Sequence, residues 1–519
     1  MDNVIVIGSG AAGLAAAVAA GHAGARVTVL ESTSTIGGTT ALSGGVAWVP
    51  DNHRAAEIGF EDDREDALTY LRGLSLGDSD DELTDRFVVE GRRVLQGLED
   101  RSPLRWRALA YPDYHAPRPG GRSGGRSVEP DPVIVEAELA ARIRRPASWR
   151  ARVMHSEIIL NDIDPEVVAE RERTGASTMG GALTAGLLIG AVEAGATIRT
   201  DLAVRSLRTS DGRVVGVETG EGSLDGAVVL ASGGFERDPA FASAFLRAPI
   251  TGFTGGPGAR GDGLRMALTV GAELGNMSEA WWCPTIRVPG DEIDGEPLSR
   301  LILNERARPG SIMVDQRGRR FCNEAQNYND VGRSLHAFDP GGFRLERDPS
   351  WLLFDQAYRE RYPVGPVVVE DPDPDWWERA ESVASLARLM GVEDRSLVAT
   401  VERFNEQAAR GEDLDFGRGR SVYDRFVGDG SAQHPNLRPI EEPPFFAVPV
   451  HAGTLGTKGG PRTDPDARVR SIAGGTIPGL YAAGNAAASP FGMLYPGAGG
   501  TIGPALVFGT LAGEAAAVD

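Results

Sequence analysis

The sequence predicts an α/β protein in which a first domain, built of strand, glycine turn and helix, is interrupted by an inserted α+β domain. Three observations carry that expectation. The chain opens on an apolar run, Val4-Ile5-Val6-Ile7, that passes directly into glycines and an alanine-rich stretch. From about 281 to 444 the composition shifts: all but one of the tryptophans after Trp106 fall there, and prolines and charges thicken. The tail then returns to glycine and alanine. The expected organisation is 1–280 and 445–519 as two segments of one domain, with 281–444 inserted between them.

The elements follow in order. An apolar run without polar interruption suits a parallel strand covered on both faces. Gly8-Ser9-Gly10-Ala11-Ala12-Gly13 leads into a helix over 14–24, and Arg26-Val27-Thr28-Val29-Leu30 is a second strand ending at Glu31. A glycine-rich segment fills 36–46, and a long irregular region with helical patches is expected over 51–130. A helix over 182–194 precedes short alternating segments at 197–207 and 214–219. Ala227-Val228-Val229-Leu230-Ala231 reads as another buried strand, closed by Ser232-Gly233-Gly234. Gly479-Leu480-Tyr481-Ala482-Ala483-Gly484-Asn485 repeats the strand-turn pattern, and a helix covers 503–515.

Composition limits the function classes. A chain of 519 residues with 41% hydrophobic and 24% charged residues is a folded, multidomain protein. A net charge of −20 repels phosphate backbones and argues against nucleic acid as a partner. Two cysteines, Cys283 and Cys322, make neither a disulfide scaffold nor a four-ligand zinc site, and the seven histidines show no metal-ligand spacing. No basic segment precedes the strand at Val4, and no apolar run reaches the roughly 18 residues of a membrane span, so a cytoplasmic enzyme is expected. Arg142, Arg144, Arg145, Arg150 and Arg152 form a basic run that reads as a solvated, carboxylate-paired face, or else as a weak peripheral membrane contact.

Gly8, Gly10 and Gly13 have the spacing for a tight turn, close backbone approach to a pyrophosphate and close packing of helix on strand. Glu31, at the end of the next strand, is placed to hold a ribose hydroxyl. The whole is a Rossmann-like dinucleotide unit. A second cluster, Ile36-Gly37-Gly38-Thr39-Thr40 followed by Ser43-Gly44-Gly45, adds small residues and hydroxyls where a second phosphate and an isoalloxazine edge need room and donors, which favours FAD over NAD.

With these motifs the sequence resembles the flavoprotein family of fumarate reductases and 3-ketosteroid dehydrogenases, which shares the opening, the Gly261-Asp262-Gly263 turn and the Gly-Leu-Tyr-Ala-Ala-Gly segment before a final helix. Within it, Leu455-Gly456-Thr457-Lys458-Gly459-Gly460 and Asn485 after Gly484 look like the steroid branch. So do Tyr111-Pro112-Asp113-Tyr114-His115, Arg320-Phe321-Cys322-Asn323-Glu324 with Tyr328, and Tyr495-Pro496-Gly497-Ala498-Gly499-Gly500-Thr501-Ile502-Gly503-Pro504-Ala505.

The resemblance implies a 3-ketosteroid Δ1-dehydrogenase. Its cofactor FAD would be held by Gly8, Gly10, Ala12, Gly13, Glu31, Gly38, Thr39, Thr40, Ser43, Gly44, Gly45, Gly233, Asp262, Gly484, Asn485, Gly500 and Ile502. It assigns catalysis to Tyr114, Tyr328, Tyr495 and Gly499. Tyr495 and the Gly499 amide would polarise the 3-carbonyl as an oxyanion hole. Tyr328 would take the C2 proton while a hydride leaves C1 for the flavin. A free phenol, with a pKa near 10, is a poor base at neutral pH, and a hydrogen bond from Tyr114 would help it. The implied site lies in the cleft between the two domains. A quinone-like electron acceptor is implied as well.

His115 is the rival base, disfavoured because its loop is expected to line solvent. Tyr111 and Cys322 are assigned to packing. The alternatives are a related flavoenzyme acting at another position, a Δ4-(5α)-dehydrogenase or a fumarate-reductase-like ene-reductase, and a flavin-free lipid-binding protein of the same fold.

Overall fold

A computed structural model describes residues 3–145, 152–160 and 162–519. The chain divides into two compact units. The first comprises the segments through Leu246, Gly255–Ala280 and Gly456–Asp519; the second comprises Arg247–Thr254 and Trp281–Leu455. Relative to the boundaries expected from sequence, the second unit also takes a short piece before 255 and extends to 455. The reason is pairing: Gly252 and Phe253 lie parallel to Gly453 and Thr454.

The first unit is organised by a sheet of β1 (Asn3–Ile7), β2 (Arg26–Leu30), β3 (Thr197–Arg199), β4 (Ala227–Leu230), β5 (Arg468–Arg470) and β6 (Thr476–Ala482), in the order β5-β6-β4-β1-β2-β3. All neighbours are parallel except the edge strand β5, which runs antiparallel to β6. The register pairs Val4 with both Val27 and Ala227, so the apolar run of β1 is central and buried from Val4 to Ile7. Helix α1 (Ala11–His22) is buried from Ala11 through Ala20. Alanine suits it because backbone comes close on several sides: a Cβ at Gly509 or Gly513 of α3 (Ile502–Ala516) would stand 2.4 or 2.2 Å from the Ala12 or Ala16 carbonyl oxygen. The other flank of α1 meets the end of α2 (Met179–Glu193), where Gly21 abuts Ala194.

The stretch expected to be mostly irregular contains two substantial helices, Arg64–Leu74 and Asp81–Asp100. Each starts at an aspartate whose carboxylate accepts an amide three residues on: Asp63 from Asp66 and Asp80 from Leu83. Dense charge on their outer faces hides the stripe of Leu83, Phe87, Val94, Leu95 and Leu98 that they bury.

The second unit is α+β. Its sheet runs in the order Glu296–Leu301, Ala280–Ile293, Phe445–Thr457, Ser350–Asp355, Ser311–Val314. Strict alternation fills both faces. Met313, Leu352, Phe446 and Val448 enter one core with Tyr358, Trp377, Val331 and Leu335; Ile312, Leu353 and Ala447 enter the other with Leu386, Leu397, Val401 and Phe404. Helix Tyr328–Ser334 therefore lies on the first face through Val331.

Among the described residues no helix is long and apolar enough to cross a membrane, and no group of His, Cys, Asp or Glu could hold a metal. Among the described residues the basic run does not form one face. Ile143 pairs with Ile36 in extended conformation, which turns Arg144 inward: it is 2% exposed and its guanidinium donates to the Thr33 hydroxyl at 3.0 Å. Arg152 donates to the carbonyls of Gly175 and Ala176. Arg150 lies outside the described residues.

Candidate functional site

The turn between β1 and α1 uses each glycine differently. Gly8 has φ +105, and a Cβ there would sit 2.4 Å from the Ala231 carbonyl oxygen, so it lets the turn lie against the end of β4. Gly13 brings the helix onto the turn: its Cβ would fall 2.0 Å from the Gly8 oxygen. Gly10 is open by comparison, since the nearest atom to its Cβ position is the Thr40 hydroxyl at 3.5 Å. As N-cap of a twelve-residue helix it offers no side-chain cap. Amides and the positive end of the helix dipole are thus presented with no Cβ in front of them, which fits a pyrophosphate.

Expected residues from distant parts of the sequence ring this helix end. Thr40 accepts the Ala11 amide at 2.9 Å, and Thr39 accepts the Gly256 amide at 3.1 Å. Gly38, with φ +51, lies across from Gly10, and Gly484, with φ +65, packs on Ala12. Ser43 donates to the Thr40 carbonyl and accepts the Gly45 amide. Gly44 packs against His155, whose pKa burial lowers to about 4 and which stacks on Tyr111.

Glu31 is held by its own chain: one oxygen accepts from the Ser9 amide and hydroxyl, the other from the Thr33 amide and hydroxyl. A ribose diol would take the place of one of these rotatable hydroxyls. Gly233, with φ +79, follows β4, and Asp262 opens a helix capped by Gly261, its carboxyl pushed up by burial. Asn485 begins the turn after β6, its amide nitrogen 2.3 Å from a Cβ at Gly456. Gly500 and Ile502 lie at the start of α3. Every one of these residues belongs to the first unit.

Three of the four expected catalytic residues, Tyr114, Tyr495 and Gly499, lie in that unit. Tyr114 and Tyr495 are each 4% exposed, with ring centroids 5.2 Å apart in an edge-on arrangement. The Tyr114 amide donates to the Pro496 carbonyl at 3.0 Å, and the same carbonyl accepts the Tyr70 hydroxyl at 2.6 Å. The Thr501 hydroxyl donates to the Tyr495 oxygen at 3.2 Å, which polarises the phenol toward donation. Gly499, with φ +94, is pressed on the backbone of Val46 and Ala47, and its carbonyl accepts the Trp48 amide. No side chain would fit there, and at Gly500 a Cβ would be 2.8 Å from the Tyr495 ring.

Neighbouring charge fixes the Tyr114 loop. Asp113 accepts from the Trp48 indole at 2.7 Å, the Arg122 amide at 2.9 Å and the Arg126 guanidinium at 2.8 Å, while Arg126 also bridges to Asp62. Burial pushes the Asp113 carboxyl up against the pull of Arg126, and its two carboxylate partners keep Arg126 charged.

Tyr328 belongs to the second unit, where it is 6% exposed at the first position of its helix. Asn327 caps that helix by accepting the Asp330 amide at 3.0 Å. The preceding segment is clamped by Glu324, which receives Arg320 at 2.8 and 2.7 Å and Arg418 at 3.2 Å, while Arg306 donates to the carbonyls of Glu324 and Gln326. Cys322 is packed beside this segment, its thiol pushed up to about 12 by burial.

Sequence reading missed the buried Asp113, Arg126, Glu324, Glu236 and Lys458. Glu236 follows the glycines after β4. It accepts the Thr457 amide at 3.3 Å, and burial pushes its carboxyl up to about 7, opposed by amide hydrogen bonds and Arg237. The signal available was position: Lys458 falls inside a glycine motif already singled out, Glu236 lies two residues past Gly234, and Asp113 precedes Tyr114.

The FAD binding domain family matches residues 3–502. The chain is 40% identical to 4-oxocyclohexanecarboxylate 2-dehydrogenase of Sinomonas cyclohexanicum, covering 100% of this chain and 94% of that protein. It is 38% identical to 3-oxosteroid 1-dehydrogenase of Mycobacterium tuberculosis, covering 98% and 97%. The crystal structure of 3-ketosteroid Δ1-dehydrogenase from Sterolibacterium denitrificans, in complex with 1,4-androstadiene-3,17-dione, superposes with a TM-score of 0.92 at 31% identity, covering 100% of both chains. With a family model matched over nearly the whole chain and full-length relatives of this kind, the chain belongs to the FAD binding domain family and is an FAD-dependent oxidoreductase.

Proposed function

We propose that this protein introduces a carbon–carbon double bond next to a ring ketone, with 3-ketosteroids as the substrate class and the Δ1 position as the site. The observation that carries the reading is the Tyr114–Tyr495 pair beside Gly499, in the same unit as the FAD cradle. In this reading the Tyr495 hydroxyl, polarised by Thr501, and the Gly499 amide donate to the substrate carbonyl and stabilise the negative charge that grows on it as C2 is deprotonated. Tyr328 takes the C2 proton, and Tyr114 has a supporting role. Bound FAD supplies the acceptor for the hydride that leaves C1. The bond formed is C1=C2, and the two electrons released would pass on to an acceptor of quinone-like class. The basic run has no part in the proposal, because Arg144 is turned inward.

The relative that acts on 4-oxocyclohexanecarboxylate favours a second substrate class, a small ring ketone bearing a carboxylate, handled by the same carbonyl polarisation and proton abstraction. Anaerobic titration of the yellow protein separates the two. Bleaching by androst-4-ene-3,17-dione supports the steroid reading, and bleaching by 4-oxocyclohexanecarboxylate alone moves the substrate class. Bleaching by neither contradicts ring-ketone dehydrogenation.

A further inference from the structure

Lys458 is the one lysine among 53 Lys and Arg side chains, and it is 1% exposed in the first unit. Its ammonium donates to two consecutive carbonyls, Met493 at 2.8 Å and Leu494 at 3.0 Å. The Leu494 carbonyl and the Tyr495 amide are one planar peptide group, so a cation fixed on that oxygen sets the plane from which Tyr495 departs. The same residue holds the segment at its other end. The Lys458 carbonyl accepts the Ser489 amide at 2.9 Å, and the Lys458 amide is tied to the Glu279 carbonyl at 2.9 Å. Opposite it, Pro490 accepts the Asp80 amide and Thr84 hydroxyl, and Asp78 accepts the Met493 amide at 3.1 Å.

Burying an ammonium and immobilising its four-carbon stem are both costly unless hydrogen bonds compensate. A compact ammonium with tetrahedrally arranged protons can meet two adjacent carbonyls that a planar guanidinium fork would splay. We propose that Lys458 is a positioning residue: by gathering the Met493 and Leu494 carbonyls it holds the Tyr495 phenol where the substrate carbonyl must meet it. This rests on the reading of Tyr495 as an oxyanion donor.

The test uses the full-length flavoprotein and the variants Lys458→Met and Lys458→Arg. Misplacing a catalytic group by about an ångström costs on the order of 10²-fold in rate. Lys458→Met is therefore expected to keep FAD and KM for androst-4-ene-3,17-dione, yet lose about that factor in kcat and in deuterium exchange at C2. Lys458→Arg should recover part of both. A purely structural lysine would lower the melting temperature and leave kcat at the wild-type value, and that result overturns the proposal.

A second measurement needs no Lys458 variant. Labelling with ε-15N lysine gives a single side-chain signal in the holoenzyme, and Tyr495→Phe is expected to shift it. An unmoved signal overturns the proposal even if Lys458→Met does not fold. Failure of the wild type to bleach with any ring ketone would instead overturn the functional reading, and the 15N comparison still decides whether Lys458 and Tyr495 are coupled.

Discussion

Replacing Gly10 and Gly13 by alanine separates cofactor binding from folding within one turn. A Cβ at Gly13 would stand 2.0 Å from the Gly8 carbonyl oxygen and 3.2 Å from a Val6 methyl. Relief requires α1 to move off the turn by more than an ångström, and overpacking of this kind costs about 1–3 kcal/mol or more. The Gly10 Cβ would meet only the Thr40 hydroxyl at 3.5 Å, an ordinary contact, and its backbone at φ −73 and ψ −176 is open to alanine. Loss of a good N-cap residue there costs about 1 kcal/mol at most. That methyl would nevertheless stand in the open space at the helix end, where the glycine turn would take a pyrophosphate.

The apoproteins should therefore differ in the opposite sense to their chemistry: Gly10→Ala melts close to wild type and purifies without flavin, whereas Gly13→Ala melts lower and loses flavin as a consequence. Thermal melts of apo and reconstituted protein, with the flavin-to-protein absorbance ratio, check both. Gly10→Ala retaining a full complement of FAD, or Gly13→Ala melting like wild type with flavin bound, would refute this assignment.

Two further outcomes follow from buried charge. The Glu236 carboxyl has a folded pKa of about 7 against an ordinary 4.5, so its contribution is full below pH 4.5 and is lost as pH rises through 7, about 3 kcal/mol over that window. Glu236→Gln, neutral throughout, should unfold at higher urea than wild-type apoprotein at pH 8 and show no such advantage at pH 4.5; equal midpoints at both pH values would remove the cause. Arg126→Met leaves Asp113 and Asp62 without their shared cation and should cost about 3–5 kcal/mol in urea unfolding. It should also lower turnover through the Tyr114 loop, and wild-type values of both would show the network to be idle.

The parts of the fold legible in the sequence were those set by neighbours in the chain. The run Val4 to Ile7, the glycine turn and Glu31 lie within one strand-helix-strand unit, and the structure places them as a central strand, a bare helix end and a buried carboxylate held by Ser9 and Thr33. The tyrosine motifs were legible through their glycine and proline companions. Long-range polar pairing left no such trace. Arg126 meets Asp113 across 13 positions and Asp62 across 64, spacings that no helical or strand period marks.

Charge along a chain does not show which way each side chain turns. The arginines from 142 onward look like one face in the sequence, yet the extended backbone at Ile143 sends Arg144 inside. The acidic and basic side chains of Arg64–Leu74 and Asp81–Asp100 masked two helices whose caps and buried stripes are regular.

The most direct test of the account is rapid anaerobic mixing of the Tyr328→Phe flavoprotein with androst-4-ene-3,17-dione, following flavin absorbance while deuterium exchange at C2 is measured in the same sample. This variant is expected to keep its yellow FAD and bind steroid, yet neither bleach nor exchange, because the group that removes the C2 proton is gone. Bleaching at the wild-type rate would contradict it and leave His115 as the residue to examine next.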